Sequence, residues 1–139
     1  MRGASRSGSR PSPLQGRPAL RLLLAEDDRL NVELFVAALE VDGHEVVVEH
    51  DGARAYARAL AEEFDLFILD VQMPGMSGDA VCRALREAGV RRPILAASAL
   101  ALPEQIERAL AAGFDEYLTK PLSPVALRDA VRRHAEPVA

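Results

Sequence analysis

The sequence predicts an α/β protein: (βα)5, a doubly wound five-stranded parallel sheet with helices on both faces. Three observations predict it. Short apolar runs of strand length recur five times. Each is followed by a segment whose apolar residues return at helical spacing. The runs at residues 20–25, 64–69 and 93–97 are almost wholly apolar, broken only by Arg21 and Asp65, as strands buried on both faces are.

Residues 1–19 are Gly, Ser, Pro and Arg with little to bury, and read as a disordered basic N-terminal arm. The domain proper is predicted over 20–135, with a tail at 136–139. Residues 20–25 form the first strand, and Glu26-Asp27-Asp28 follow directly. Asp28 caps a helix in which Leu30, Leu34, Phe35, Ala38 and Val41 recur on one face, and Gly43 stops it. The second strand is 45–49, and Asp51-Gly52 is turn chemistry. A helix over 53–63 follows, with Ala55, Tyr56, Ala59 and Leu60 inward.

The third strand, 64–69, runs into Asp70 and a Pro74-Gly75 turn. Ser77 caps the next helix, which turns Val81, Cys82 and Leu85 inward and ends at Gly89. The fourth strand, 93–97, delivers Ser98. Pro103 suits the first turn of a helix with Ile106, Ala109 and Leu110 as its buried stripe, closed by Gly113. Residues 116–119 are the fifth strand, leading to Lys120-Pro121. Ser123-Pro124 open a last helix, with Leu127, Ala130 and Val131 inward, to His134.

Composition excludes several classes. Net charge is −4, and −8 without the arginines of the arm (Arg2, Arg6, Arg10, Arg17), which argues against nucleic acid as a partner. The single cysteine, Cys82, permits no internal disulfide and fits a reducing, cytoplasmic setting. No apolar run reaches the ~18 residues of a membrane span. His44, His50 and His134 are scattered and make no metal site, and the pairs Arg91-Arg92 and Arg132-Arg133 read as solvated helix ends.

In sheets of this kind the ligand site lies outside the carboxyl ends of the strands. There the sequence places Glu26, Asp27, Asp28, Asp70, Ser98 and Lys120. A carboxylate at the end of an apolar strand is costly unless paired. Clustered carboxylates call for a cation, and all-oxygen donors suit Mg²⁺. With Lys120 beside the metal, the pocket suits a phosphoryl group, with a carboxylate as nucleophile.

Four stretches in this order resemble the receiver domain of two-component response regulators: AEDDRLN at 25–31, LFILDVQMPGMSG at 66–78, ILAASA at 94–99 and AAGFDEYLTKPLSP at 111–124. The likeness covers roughly 20–134 and implies the flavodoxin-like receiver fold, with strand order 2-1-3-4-5. By position it makes Asp70 the phospho-acceptor. Asp27 would ligate Mg²⁺ directly and Glu26 through water, with Asp70 and the Gln72 backbone carbonyl completing the protein ligands. Asp28 would remain a cap. Ser98 matches the switch hydroxyl, Tyr117 the switch aromatic and Lys120 the lysine that pairs with the phosphoryl group. Ala99 is small enough to leave that group accessible, and the bond before Pro121 is expected cis.

The implied donor is a histidine kinase or histidine phosphotransfer protein, and the implied output is contact with a downstream protein through the fourth helix, fifth strand and fifth helix. The implied chain is a monomer or a phosphorylation-dependent dimer, and not an enzyme beyond its own phosphorylation and dephosphorylation. The close of the sequence soon after the last helix is consistent with a stand-alone receiver or one excised from a larger protein. Two rival readings are a pseudo-receiver that is never phosphorylated and an aspartyl-phosphate phosphatase. The latter usually places a second Asp where Gln72 stands.

Overall fold

The computed structural model describes residues 19–135. Ten elements alternate along the chain: β1 (Arg21–Ala25), α1 (Arg29–Val41), β2 (Glu45–Glu49), α2 (Gly52–Ala61), β3 (Leu66–Asp70), α3 (Gly78–Glu87), β4 (Ile94–Ser98), α4 (Pro103–Ala112), β5 (Glu116–Thr119) and α5 (Pro124–Ala135). The strands form one sheet in the order β2-β1-β3-β4-β5, every pairing parallel. This is the predicted fold. The predicted arm and tail, apart from Ala19, lie outside the described residues.

Side chains alternate across the sheet and give each face its own core. Leu23, Phe67, Leu69, Ile94 and Ala96 pack toward α2, α3 and α4. Leu22, Leu24, Leu66, Ile68, Leu95 and Ala97 pack toward α1 and α5. β1, β3 and β4 are covered on both sides, which is why Leu22–Ala25, Leu66–Leu69 and Ile94–Ala97 are unbroken apolar runs.

Several helix faces differ from expectation. α1 buries Phe35, Ala38 and Leu39, whereas Leu30, Leu34 and Val41 are 64%, 50% and 48% exposed. These three lie about a third of a turn round the helix from the buried set. α2 and α4 seat on the sheet through Ala55 and Ala59 and through Ala109 and Ala112. Alanines bring a helix axis close to the sheet, so the flanking Leu60 and Leu110 are left outside, at 50% and 47% exposure. Tyr56 and Ile106 are only half-buried.

β3 starts at Leu66, because Phe64 and Asp65 are held before the strand begins. The Phe64 ring meets Phe67 edge-on at 5.8 Å, with the Arg21 guanidinium 4.5 Å above it. The Asp65 carboxylate accepts from the Arg21 N–H at 2.8 Å. α2 stops at Ala61, where Glu62 turns back to ion-pair with Arg58 and Arg21.

Arg132 is not a solvated helix end. It donates from Nε and Nη2 to the two oxygens of buried Asp42 at 3.1 and 2.9 Å, clamping α5 to the end of α1. The loop after α1 also buries His44, whose Nδ1 accepts from the Leu20 N–H at 3.0 Å. Burial lowers the His44 pKa; Asp42 and Asp65 oppose the shift and Arg132 adds to it. The unfolded state therefore takes up a proton more readily. Stability is full above the free histidine value of about 6.5 and falls as pH drops below it. His44→Asn keeps an acceptor for Leu20 and removes the titration. Urea unfolding at pH 5.0 and 7.5 is expected to show a smaller acid loss in this variant than in the wild type.

Candidate functional site

The sheet brings the predicted residues together at its carboxyl edge. Asp70 is the last residue of β3 and is 4% exposed. Its Oδ1 accepts from the Gln72 N–H at 3.0 Å, and its Oδ2 lies 3.3 Å from the Lys120 Nζ. The same ammonium is nearer Glu26, 2.9 Å from Oε1. Glu26 follows β1 directly and is 1% exposed, and its Oε2 accepts from the Asp28 N–H at 3.2 Å. The Asp28 carboxylate accepts from the Leu30 and Asn31 N–H groups at 2.9 and 3.1 Å, so it is the α1 cap.

Burial pushes the Asp70 carboxyl up to about 6. The Glu26 charge adds to the shift, while the Gln72 N–H and Lys120 oppose it. Burial alone would lower the Lys120 pKa, but its contacts with Glu26 and Asp70 outweigh this and raise it. The site is therefore a half-buried ammonium shared by two buried carboxylates.

One oxygen each of Glu26, Asp27 and Asp70 lie within 4.8 Å of one another. Asp27 is exposed and opens this cluster to water. Glu26 Oε1 is buried and meets Lys120 as an ion pair, outside good hydrogen-bond geometry. An all-oxygen, partly hydrated donor set with unused acceptor capacity fits Mg²⁺. Asp27, Asp70 and Glu26 would hold it, and bound there it would neutralise negative charge on a phosphoryl group.

The loop from Val71 to Ser77 is fixed by two glycines. A Cβ on Gly78 would lie 2.4 Å from the Asp70 carbonyl oxygen, so α3 starts directly against the Asp70 backbone. A Cβ on Gly52 would lie 1.8 Å from the Met76 carbonyl oxygen, so α2 starts against the far side of the loop.

Ser98 ends β4, fully buried, with its Oγ accepting from the Leu100 N–H at 3.0 Å. Register places its neighbour Ala97 opposite Asp70, and Ala99 lies exposed just beyond. The half-buried Tyr117 donates its hydroxyl to the Leu100 carbonyl. Ser98, Leu100, Tyr117 and Gln72 share the wall of a cavity of about 440 Å³ that reaches between α3 and α4. The Lys120-Pro121 bond is cis, as expected.

Sequence reading missed the Glu26–Lys120 pair, the Gly52–Met76 contact and the Asp42–Arg132 clamp. Asp51-Gly52 before a helix and an acid adjoining Gly43 were visible signals. The partners, 24 or more positions away, were not.

This fold and this edge define a class. The sequence pattern of the response regulator receiver domain matches residues 22–132, and the chain belongs to that family, which serves two-component signalling. It is 40% identical over 132 residues to the sensor histidine kinase AruS of Pseudomonas aeruginosa, covering 92% of this chain and 13% of that kinase. It spans 14% of the length of another relative, the sensor protein GacS of Pseudomonas syringae pv. syringae. It is 37% identical to the rice two-component response regulator ORR41, covering 77% of this chain and 87% of that protein.

Among solved structures, the receiver domain of the sensor histidine kinase PA1611 of Pseudomonas aeruginosa superposes with a TM-score of 0.78 at 32% identity. The match covers 84% of this chain and 98% of that one, whose structure has a magnesium ion coordinated in the active-site cleft. Chemotaxis protein CheY4 of Vibrio cholerae superposes at 0.79 and 30% identity, covering 84% and 98%. Among the described residues no helix is long and apolar enough to cross a membrane.

Proposed function

We propose that this receiver accepts a phosphoryl group on Asp70 from a phosphohistidine donor, a histidine kinase or a histidine phosphotransfer protein, with Mg²⁺ held by Asp27, Asp70 and Glu26. The observation that carries this reading is the Asp70 carboxylate, 4% exposed, beside Lys120 and within reach of two further acids. An Asp70 oxygen forms the new bond to phosphorus. The P–N bond of the donor breaks, and its electron pair returns to the histidine nitrogen. Lys120 takes up negative charge on the phosphoryl oxygens, and the Gln72 N–H holds the acceptor carboxylate in place. The protein acts on no separate substrate, and we place it in the cytoplasm.

The new charge on Asp70 would draw the Ser98 hydroxyl from its Leu100 N–H bond. Tyr117 would then leave the Leu100 carbonyl for the space beside Ser98. Leu100 and Leu102, 39% and 53% exposed before α4, would carry the change to the α4–β5–α5 face, where a downstream protein or a second copy binds.

The exposed Leu30, Leu34 and Val41 give a protein donor a footing on α1, the helix that starts beside Asp27. Leu34→Asp is expected to slow transfer from a phosphohistidine protein at least ~10-fold. Phosphorylation by a small acyl phosphate, which needs no such footing, should be unchanged. Equal slowing with both donors would remove α1 from the donor interface.

The experiment for the central reading is incubation with an acyl phosphate and Mg²⁺, followed by intact mass. One base-labile phosphate is expected on the wild type, and none when the metal is chelated. Equal phosphorylation with and without chelator would contradict the metal's role.

A further inference from the structure

We propose that the cavity between α3 and α4 binds a free α-amino acid with an apolar side chain, its ammonium on Asp79 and Gln105 and its carboxylate on Arg83 and Arg108. The binding stands on the cavity alone; its effect on signalling rests on the proposed phosphorylation of Asp70.

Of the four buried side-chain N or O atoms without a hydrogen-bond partner among the described residues, two line this cavity: Asp79 Oδ1 and Gln105 Oε1. Both are acceptors, and each calls for a donor that the protein does not supply. Arg83 and Arg108 line the same cavity and are exposed. Burial raises the Asp79 pKa, and Arg108 and Arg83 oppose the shift without overcoming it.

α3 and α4 follow the parallel strands β3 and β4 and pack on the same core, so they run side by side in one direction. Each presents an acceptor in its first turn and an arginine a turn further on: Asp79 then Arg83, and Gln105 then Arg108. The arginine Cα atoms lie about 6 and about 4.5 Å beyond the acceptors along the two axes. Helical side chains lean toward the N-terminus, which narrows that gap. A simple anion would meet two oxygens in the first layer, and a simple cation would meet two guanidinium groups in the second. A zwitterion suits both. The ammonium and carboxylate of an α-amino acid are two bonds apart, about 2.5 Å. Three ammonium N–H groups are enough for both orphaned oxygens. The apolar side chain would lie against Val71, Leu100 and Tyr117, in a cavity whose 440 Å³ is the size of a small-molecule site.

Ser98 and Tyr117 share this wall. An occupant would fill the space beside Ser98 that Tyr117 enters on phosphorylation, so the two exclude each other. By thermodynamic reciprocity, phosphorylation weakens the ligand and the ligand favours the unphosphorylated arrangement by the same factor.

The test uses the full chain, ¹⁵N-labelled, metal-free and unphosphorylated. It is titrated with L-leucine, with 4-methylpentanoate, which is leucine without its ammonium, and with 3-methylbutylamine, which is leucine without its carboxylate. Leucine is expected to shift the Ala80, Leu100 and Gln105 amide resonances saturably, and each analogue to bind at least ~10-fold more weakly. Asp79→Asn and Arg108→Gln should each weaken leucine by a similar factor. No saturable shift with leucine, or shifts confined to other residues, would overturn the site. Equal binding of 4-methylpentanoate would overturn the zwitterion. The three wild-type titrations decide this even if a variant does not fold.

Addition of Mg²⁺ and an acyl phosphate should then release leucine. Leucine retained on protein that intact mass shows to be phosphorylated would overturn the coupling through Tyr117 and leave the site standing. No phosphate by mass would overturn the proposed function, and the coupling with it, while the leucine titration still decides the site.

Discussion

Asp70→Asn is expected to abolish phosphoryl acceptance and, in metal-free buffer at pH 7, to unfold at higher urea than the wild type. The loss of acceptance is complete because an amide has no nucleophilic oxygen to form an acyl phosphate. The gain in stability follows from linkage. Burial raises the folded pKa of Asp70 from 3.8 to about 6. Between those values the folded state keeps a proton that the unfolded state gives up. Wild-type stability therefore falls as pH rises through this window, and the whole penalty is present above about 6.

The shift sets a ceiling of about 3 kcal/mol at neutral pH. Asp70→Asn also takes one of two carboxylates from Lys120, so a net gain of about 1 kcal/mol is expected. The Asn side-chain oxygen can still accept from the Gln72 N–H, which limits other losses. Urea denaturation from pH 4 to 7 checks the sign. The advantage of the variant should be near zero at pH 4, grow through pH 6 and then level. An advantage largest at pH 4 would mean that Asp70 is held charged, and the burial argument would fail.

Gly52→Ala is expected to be among the most damaging single-methyl additions in the domain. The added Cβ would lie 1.8 Å from the Met76 carbonyl oxygen and 2.7 Å from both the Met76 carbonyl carbon and Cβ. Backbone presses on backbone there, so no side-chain rotation relieves the clash. Either α2 must back away from the sheet or the loop from Val71 to Ser77 must move. A cost of roughly 3 kcal/mol follows, the upper end for overpacking. Because that loop carries Gln72, phosphorylation should slow as well. Gly75→Ala is the control: its φ is +83° and its Cβ would meet nothing within 4 Å, so it carries only left-handed backbone strain, about 1 kcal/mol. Similar losses in the two variants, measured by urea unfolding, would show that the Met76 contact is not what demands glycine at 52.

Much of this was legible in the sequence because the signals were local. The apolar run Leu66–Leu69 ending in Asp70, the capping pattern at Asp28 and the Lys120-Pro121 dipeptide each announce themselves within a few residues, and strand order followed from the resemblance. The residues brought to the sheet edge are those the sequence nominated.

What stayed hidden depends on three-dimensional neighbours. Periodicity placed Leu30, Leu34 and Val41 on an apolar face of α1, but only packing shows that Phe35, Ala38 and Leu39 face the sheet while those three face out. Arg132 looked like a solvated end because its partner, Asp42, is 90 positions away. The pairing of Lys120 first with Glu26 turns on a few tenths of an ångström that no spacing rule contains.

The central claim is that Asp70 becomes an acyl phosphate. The most direct test is to phosphorylate the protein with Mg²⁺ and an acyl phosphate, reduce it with borohydride and sequence its peptides by mass spectrometry. Hydride delivery to an aspartyl phosphate expels phosphate and leaves homoserine at that position. Homoserine at 70 and at no other acidic position is the predicted result. Homoserine at Asp27 or Asp28, or at none, would contradict the account.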